Sequence, residues 1–560
     1  MNKVYRLVWC VLRQVWICAA ETARARGKAS RSTVLLTVLG SSSLLAQAAN
    51  PIGAPPSSTQ LPTGGQVVAG QANISQAGSA MTVQQGSDRA AIDWQTFNLG
   101  SQASINFQQP SVNSVTLNRV LDANPSQIYG RLSANGHVFL SNPNGVYFAP
   151  SANVDVGGIV ATTMGISNDD FMAGRDVFQR NGSTGAVLNL GRMQAAPGGV
   201  IALLAPEVRN EGVLIAQAGT VAMASGEAVT LHFGATSGLL DITVTPSQVR
   251  ALVENRHAVL AEGGQIILSA RAVDGLMASV IHSGELNASS IVEKGGRVFI
   301  EARDITLAAG SRIEATGATG GGTVLVGGQA KGAGDMYQAT TVTMAEGASI
   351  DASATSKGDG GTVVLWSNIH DASAKTTAQG QIAARGGAQG GNGGFVETSG
   401  ASLKVDGIRV DTSAAAGKGG VTGEWLLDPY DLIVDASAAS TISTNLGTTD
   451  VKLLTTVSGA SGPGVQNAGG SGDITVNSAI SWASGNRLTL NAYRNVNINA
   501  AITASGAGKV TIITGDTAGT GVSGSATGDY SFGLGPSGFA GSLNFTGGST
   551  SGATLNISTG

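Results

Sequence analysis

Short apolar runs separated by sharp turns cover most of the chain. Val138–Leu140 and Val146–Phe148 are β-branched or aromatic runs, and they flank a turn of sequence Asn-Pro-Asn-Gly at residues 142–145. Asn and Pro favour the first two positions of a tight turn, while Asn and Gly tolerate a positive φ. Runs this short, with turns this close, predict strands and leave no room for a helical period.

A pair of glycines followed by a strand recurs further along the chain. The pairs are separated by 65, 32, 26 and 39 residues, so the period is imperfect. They begin at Gly198, Gly263, Gly295, Gly321 and Gly360. A second strand type, with Ile in its second position, lies between the later pairs and begins at Arg312, Ser349 and Gln381. The chain is therefore built from repeated units of two short strands and two turns.

Such a unit cannot bury a core alone, but stacked units can. The predicted architecture is all-β: a right-handed parallel β-helix, or solenoid. Side chains of one parity, such as Val324 with Val326 or Val115 with Leu117, share a face of their strand. At about 22 residues a coil, the roughly 510 residues that follow residue 48 would form about 23 coils stacked about 4.8 Å apart. A set of β-sandwiches is the alternative, but two-residue hairpin signals are scarce.

The first 48 residues have the features of a long targeting segment. A basic and apolar stretch, residues 1–31, precedes an apolar run at residues 33–45 that ends in an A-x-A motif at Ala46 and Ala48. This is the pattern of a signal peptide, with cleavage expected after Ala48. A wrongly assigned start codon is the alternative explanation for the extension before the apolar run.

Removal of this segment changes the charge and the redox chemistry of the chain. Both cysteines, Cys10 and Cys18, lie within it, so the mature chain has no disulfide. This suits a chain that stays unfolded during export, although a large repeat core that needs no disulfides would look the same. The remaining 25 Lys and Arg against 35 Asp and Glu give a net charge near −10. Nucleic acid is therefore not expected as a partner, because it requires a basic face.

Composition and motifs predict neither an enzyme nor a metal or cofactor site. With 81 Gly, 12 % charged and 4 % aromatic residues the chain is too rich in glycine for a helical bundle, and at 42 % hydrophobic it is too apolar for disorder. Its five histidines are far apart, and neither HExxH nor CxxC occurs. Asp169 and Asp170 form the densest acidic pair, but neighbours in a strand point to opposite faces, and a solvated corner explains the pair.

Several segments resemble the secretion domain of filamentous-haemagglutinin-type exoproteins, the passengers of two-partner secretion. They are IDWQTFNLG at 92–100, LNRV at 117–120, SNPNGV at 141–146 and VDVGGIVATTMGIS at 154–167. GGFVETSG at 393–400 and EWLLDPYDLIVD at 424–435 resemble the high-molecular-weight adhesin branch of the same family.

This resemblance implies a route and a function. The chain would cross the inner membrane through the Sec translocon and the outer membrane through a POTRA-containing β-barrel transporter. It would be secreted or displayed at the surface of a Gram-negative bacterium. There it would act as a virulence-associated adhesin for a host-cell or bacterial surface receptor, for which a glycan is one candidate. The alternatives are a haemolysin or contact-dependent inhibition exoprotein, whose effector these residues lack, and, less favoured, a β-helical polysaccharide-acting enzyme.

The resemblance also divides the chain. We expect an extended signal peptide at 1–48, a secretion domain capping the helix at 49–290, a β-helical repeat region with the character of a pro-piece at 291–425, and the truncated start of adhesin repeats at 426–560.

The positions that match the family's turn motifs are Asn118, Asn142, Pro143, Asn144 and Gly145. We expect their side chains to hold the turn geometry by bonding backbone groups, and to form the transporter's docking surface only indirectly. The family's NPNL-type turn has no match unless Asn124-Pro125-Ser126 stands in for it. Of five Asn-x-Ser/Thr sequons, Asn544 and Asn556 are the candidate glycosylation sites.

Overall fold

The computed structural model describes residues 5–10, 15–20, 53–234, 238–429, 432–455, 471–517, 528–547 and 552–559. The chain divides into two units, residues 1–49 and residues 50–560. In the first unit, the strands Tyr5–Cys10 and Val15–Ala20 pair in antiparallel fashion. The predicted cleavage residues Ala46 and Ala48 lie outside the described residues.

The second unit is a parallel β-helix, which confirms the predicted fold class. Strands that follow one another along the chain belong to different sheets, and each pairs with the strand one coil earlier and one coil later. Leu140, for example, lies between Asn118 and Ala161. Three long sheets result, which we call sheets 1, 2 and 3. No helix in the described part of the chain is long and apolar enough to cross a membrane.

The strands of sheet 1 are Gln66–Ala69, Arg89–Trp94, Val115–Val120, His137–Ser141, Gly158–Thr162, Val200–Leu204, Thr220–Ser225, Gln265–Ala270, Arg297–Ala302, Thr323–Val326, Thr362–Trp366, Phe395–Ser399, Glu424–Asp428, Asp450–Leu454, Arg487–Asn491, Lys509–Ile513 and Thr554–Ser558. The strands of sheet 2 are Ala72–Ala77, Ala80–Gln85, Ser104–Gln108, Arg131–Ala134, Asn153–Val156, Arg192–Ala195, Val213–Ile215, Ala258–Leu260, Glu285–Asn287, Arg312–Glu314, Ser349–Asp351, Gln381–Ala383 and Arg409–Asp411. The strands of sheet 3 are Ser126–Ile128, Val146–Phe148, Ala186–Asn189, Glu207–Asn210, Ala251–Asn255, Ala278–His282, Asp304–Leu307, Thr341–Met344, Lys375–Ala378 and Ser402–Lys404.

Beyond residue 430 two shorter sheets continue the coils. One contains Leu432–Val434, Ile474–Val476, Val496–Ile498 and Tyr530–Phe532, and the other contains Ile480–Trp482, Ala501–Ala504 and Ser542–Phe545. A small hairpin joins Leu534–Gly535 to Gly538–Phe539. Three elements outside the coils form an antiparallel sheet, namely Val177–Gln179, Ala228–Phe233 and Leu239–Thr245. The helical segments are Asn168–Met172, Ala436–Asn445 and the 3₁₀ turn Ala330–Gly332.

The start of the β-helix is closed by antiparallel strands. Gln66–Ala69 runs antiparallel to Arg89–Trp94, and Ala72–Ala77 forms a hairpin with Ala80–Gln85. From Arg89 onward, pairing within sheet 1 is parallel through to Thr554–Ser558. These first strands, rather than a separate domain body, cover the end of the stack.

The interior of the coils is filled by stacked aliphatic side chains. Val324 and Val326 point inward and are fully buried, as their parity predicts. One corner also holds a buried polar ladder in which Asn189 donates to Asn210 and Asn210 to Asn255, each at 2.8 Å, and Asn255 contacts His282 Nδ1 at 3.2 Å. Burial lowers the pKa of His282 to about 4. Every side-chain amide in this ladder thereby has a partner one coil away.

A column of glycines forms the corner that precedes sheet 1. A Cβ atom on each would collide with the carbonyl oxygen of a glycine one coil earlier, which for Gly199 is Gly157 and for the others is the preceding member of the column. The members are Gly199, Gly219, Gly264, Gly296, Gly322, Gly361, Gly394 and Gly423. Five of these members are the second glycines of the pairs predicted from the sequence. The positive φ of a tight turn occurs instead at the first glycine of two pairs, Gly198 and Gly263, which lie outside the column. Close approach between coils therefore explains the column, because no side chain has room there.

The predicted number of coils was too high. Column glycines are 20 residues apart from Gly199 to Gly219 but 45 apart from Gly219 to Gly264. Within the described residues sheet 1 consequently has 17 strands, where a constant coil of about 22 residues would give about 23 coils. Segments inserted between strands account for the difference.

Candidate functional site: the turns and polar interior of the first coils

Asn142 is the fully buried centre of the predicted turn. Its Nδ2 donates to the carbonyl oxygen of Asn124 at 2.9 Å and to Ser126 Oγ at 3.0 Å. Its Oδ1 accepts from the backbone N–H of Asn144 at 3.0 Å. Because each bond joins a buried group to a partner it would otherwise lack, the side chain fixes this turn to the preceding coil.

The segment Asn124-Pro125-Ser126 is the partner of this turn. It lies one coil earlier, and Ser126 N donates to the carbonyl oxygen of Gly145 at 3.0 Å. Asn144 Nδ2 adds a bond of 2.9 Å to the carbonyl oxygen of Asp122. Two Asn-Pro turns are therefore stacked and bonded to each other.

Pro143 and Gly145 complete the geometry of the turn. Gly145 has φ of 126°, a backbone conformation that favours glycine, and its N–H donates to the carbonyl oxygen of Asn142 at 3.0 Å. On the other side, Ser183 Oγ donates to the carbonyl oxygen of Pro143 at 2.6 Å. The turn is thus held by the coil before it and by the coil after it.

Asn118 lies elsewhere, inside the coil. It is fully buried next to Leu140, accepts from Trp94 Nε1 at 2.9 Å, and donates to the carbonyl oxygen of Phe139 at 3.2 Å. The structure therefore separates the five motif residues into a turn of four, Asn142 to Gly145, and an interior amide, Asn118.

Two glutamines that the sequence analysis missed belong to the same polar interior. Gln109 Nε2 donates to Thr116 Oγ1 at 3.0 Å and to the carbonyl oxygen of His137 at 2.9 Å, and Thr116 Oγ1 donates to Gln85 Oε1. Parity could have found Gln109, because it continues the inward positions Ile105 and Phe107. The interior of these coils therefore contains a bonded network of amides and hydroxyls beside its apolar side chains.

The outer face of sheet 1 is also covered in this region. The antiparallel sheet and the short helix pack on it through Phe171 and Phe178, which contact Phe139 with ring centroids 6.0 and 5.7 Å apart. Arg89 pairs with the buried Asp176 at 3.1 Å and lies over the Phe171 ring. These contacts fasten the cover to the first coils.

A cavity of about 110 Å³ lies under this cover, beside Arg89, His137 and Phe233. Burial, together with the nearby Arg89 guanidinium, lowers the pKa of His137. The densest acidic pair, Asp169 and Asp170, lies at the start of the short helix. The hydroxyl of Ser167 and the Arg175 guanidinium, both bonded to Asp170, lower the pKa of that carboxyl. The pair therefore has a capping role rather than a catalytic geometry.

The remaining candidates are isolated. Asn544 is half-buried, with Nδ2 3.3 Å from Thr503 Oγ1, whereas Asn556 is exposed. Across the described ranges, no group of three or more His, Cys, Asp or Glu side chains is placed to hold a metal ion.

Comparisons with known proteins agree with this architecture. Residues 58–315 match the family described as TPS secretion domain, and residues 1–50 match the Extended Signal Peptide of Type V secretion system. The crystal structure of the HMW1 secretion domain from Haemophilus influenzae is similar over 66 % of this chain and 100 % of that domain, with a TM-score of 0.51 and 28 % identity.

Two curated relatives carry the name heme/hemopexin-binding protein, both from Haemophilus influenzae. One is 34 % identical over 259 residues, which cover 45 % of this chain and 28 % of that protein. The other is 29 % identical over 259 residues, covering 42 % of this chain and 27 % of that protein. The match thus spans less than a third of the length of either relative.

The resemblance read from the turn motifs is confirmed by independent similarities in the signal segment, the secretion domain and the fold. This chain is a two-partner secretion exoprotein, exported across the envelope of a Gram-negative bacterium to the cell surface or the medium.

Proposed function

We propose that the chain is the leading part of a surface adhesin, carried across the outer membrane by a dedicated POTRA-containing β-barrel transporter after passage through the Sec translocon. The supporting observation is the doubly anchored Asn142 turn, which is bonded to the coil before it and, through Pro143, to the coil after it. A first set of coils with such specific bonds provides an end on which later coils can stack. Each added coil then contributes its own neighbour interface, which favours outward movement without ATP.

This proposal assigns a different function to each segment of the chain. Residues 49–290 would serve export, residues 291–425 would act as a pro-piece, and residues from 426 onward would begin the displayed adhesin. Asn544 and Asn556 would be glycosylation sites in that displayed part.

Binding of a haem-carrying host protein is the second candidate function. The names of the two curated relatives favour it. Binding of the exported chain to immobilised hemopexin, compared with its binding to epithelial cells, separates this candidate from the adhesin.

Export is the first measurement. The chain is expressed with and without its transporter, and the amount outside the cell is compared for wild type, Asn142→Ala and Asn113→Ala. Asn113 is an exposed turn residue close to the same coils and serves as the matched control. We expect export to require the transporter, to fall at least about tenfold in Asn142→Ala through loss of buried hydrogen bonds, and to stay unchanged in Asn113→Ala. Equal export without the transporter would refute the proposal.

A further inference from the structure

A groove of about 540 Å³ crosses the outer face of sheet 2. Its floor consists of four consecutive strands, Arg312–Glu314, Ser349–Asp351, Gln381–Ala383 and Arg409–Asp411. The middle residue of each strand points into the core, so the first and third residues line the groove. Three of these strands lie beyond residues 58–315, the part that matches the secretion domain. The groove is therefore mostly outside the segment assigned to export.

The helix Ala436–Asn445 forms the end wall of the groove. It replaces a strand at the edge of sheet 2, and its polar side chains satisfy the backbone groups of that edge. Asn445 Oδ1 accepts from Val410 N at 2.7 Å, and Asn445 Nδ2 donates to the carbonyl oxygen of Ile408 at 3.0 Å. Thr449 Oγ1 donates to the carbonyl oxygen of Val410 at 3.0 Å. Because Asn445 and Thr449 are buried, the wall is fixed and the groove is formed before any ligand arrives.

The charges that line the groove balance. Three guanidinium groups face three carboxylates, and the six residues are Arg312, Arg385, Arg409, Glu314, Asp351 and Asp411. Arg385 lies between two of the acids, 3.5 Å from Asp351 and 3.9 Å from Asp411. Neither a polyanion nor a polycation has a net electrostatic attraction to such a surface, because attraction to one set of charges is cancelled by repulsion from the other. A neutral ligand with many donors and acceptors is favoured.

The groove also lacks aromatic lining. Ser349 and Gln381 supply uncharged polar groups at its centre, while Ala383 leaves space between two acidic positions. Donors and acceptors recur with each strand, about every 4.8 Å. This repeat along a straight trough matches an extended chain of hydroxylated rings better than a compact ligand.

We propose that this groove binds a neutral, extended oligosaccharide. Sugar hydroxyls donate to the carboxylates of Asp351 and Asp411 and accept from the guanidinium of Arg409. The proposal goes beyond the function proposed above, because the groove floor lies within residues 291–425, which that function assigns to a pro-piece, and it gives this part of the exported chain a ligand class. Hydrogen bonds that merely replace bonds to water contribute little net free energy, so we expect a Kd on the order of 1 mM for one groove. Many copies on one cell would raise the overall avidity.

Saturation-transfer NMR on the purified exported chain tests the proposal. The probes are cellohexaose and maltohexaose as neutral sugars and a heparin hexasaccharide as the polyanion. Arg409→Ala removes an exposed guanidinium from the groove, and Arg192→Ala removes one at the equivalent exposed position of sheet 2, several coils away. Thermal denaturation checks that both variants are folded.

We expect saturation transfer to at least one neutral hexasaccharide, affinity about tenfold weaker in Arg409→Ala because a bond to a charged group is lost, and no change in Arg192→Ala. No transfer to either neutral sugar at millimolar concentration would overturn the proposal. So would an equal loss in both variants, or a preference for heparin. Export is measured separately, so a chain that is exported but binds no sugar refutes the groove alone.

Discussion

The first coils and the later coils of this β-helix are built in different ways. Around Asn118 the interior contains, beside apolar side chains, a network of amides and hydroxyls, each with a particular partner. Around Val324 and Val363 the interior is aliphatic, and the neighbouring corner is the glycine column. The first arrangement depends on unique bonds and the second on one contact repeated in every coil. In this solenoid, specific hydrogen bonds therefore distinguish the first coils, and close glycine contacts set the stacking of the later ones.

The two regions also differ in the cover on sheet 1. The first coils have a three-stranded sheet, whereas the later coils have a short strap, residues 327–338, folded over the buried Trp366. Trp366 Nε1 donates to Gln338 Oε1 at 3.2 Å, and Lys331 N donates to both carboxylate oxygens of Glu397 at 3.0 and 3.1 Å. Burial raises the pKa of Glu397 to about 7, with Lys331 opposing the shift and Glu424 adding to it. The strap thus introduces a buried carboxylate contact that titrates near neutral pH.

The largest expected effect tests the repeated contact. In Gly361→Val the new side chain would meet backbone atoms of Gly322, Ala352 and Gly321, none of which can move without displacing a neighbouring coil. We expect the free energy of unfolding to fall by at least about 4 kcal/mol, measured by urea denaturation. The control is Gly310→Ala, where the Cβ meets open space and only the φ of 82° opposes it, so the cost should be about 1 kcal/mol. Similar costs in both variants would contradict the steric role of the column.

The next effect tests the unique bonds. Asn118→Leu gives this position the apolar character of Leu140 beside it, yet it leaves the buried Trp94 Nε1 without its acceptor and removes the side-chain bond to the carbonyl oxygen of Phe139. We expect a loss of about 3 kcal/mol in urea denaturation.

The matched position in the later coils is Thr398, which belongs to the same interior column and accepts from Trp425 Nε1 at 3.0 Å. Thr398→Val breaks that single bond, and we expect it to cost about 1 kcal/mol. A smaller loss of stability in Asn118→Leu than in Thr398→Val would contradict a special role of the polar interior in the first coils.

The smallest net effect is on the pH dependence of the free energy of unfolding, because the contributions of Glu397 and His282 oppose each other. Glu397 has a pKa raised from 4.5 to about 7, so its contribution to stability is complete below pH 4.5 and is lost as the pH rises toward 7. His282 has a pKa lowered from 6.5 to about 4, so its contribution is lost as the pH falls from 6.5 toward 4. The contribution of each group to the free energy of unfolding amounts to no more than about 3 kcal/mol.

Single variants separate these two contributions. In Glu397→Gln the free energy of unfolding should rise with pH between 4 and 6.5, and in His282→Asn it should fall with pH between 4.5 and 7. Urea denaturation across that range measures both slopes. Parallel pH profiles for the two variants would show that these buried groups do not govern the dependence.

The repeat and the turn could be predicted from the sequence because both depend on local residue types. Gly pairs, the parity of Val324 and Val326, and the four residues at 142–145 each indicate their own conformation. The segments that cover sheet 1 could not be predicted in the same way. Val115 and Leu117 do share a face, but that face is the outer one under the cover, whereas the polar Thr116 and Asn118 face the interior, so the alternation in this strand indicates the wrong face as the core.

The candidate site was predicted in part for similar reasons. The turn residues and Asn118 were found through their resemblance to a family. Ser183, which bonds Pro143, and the glutamines Gln85 and Gln109, which bond Thr116, carry no local signal beyond parity. The helix Ala436–Asn445 was missed because its Ser, Thr and Ala residues resemble the neighbouring turn segments. Its polar side chains are explained only by the sheet edge that they bind.

The glycine column has a consequence for how such proteins diversify. Its members stay in register although the chain between them ranges from 20 to 45 residues, so the length of an inserted loop is uncoupled from the integrity of the stack. We therefore expect a chain with a foreign peptide inserted into the strap, residues 327–338, to be exported like the unmodified chain. Segments inserted between the strands can therefore change in length while the stack of coils that carries them is kept.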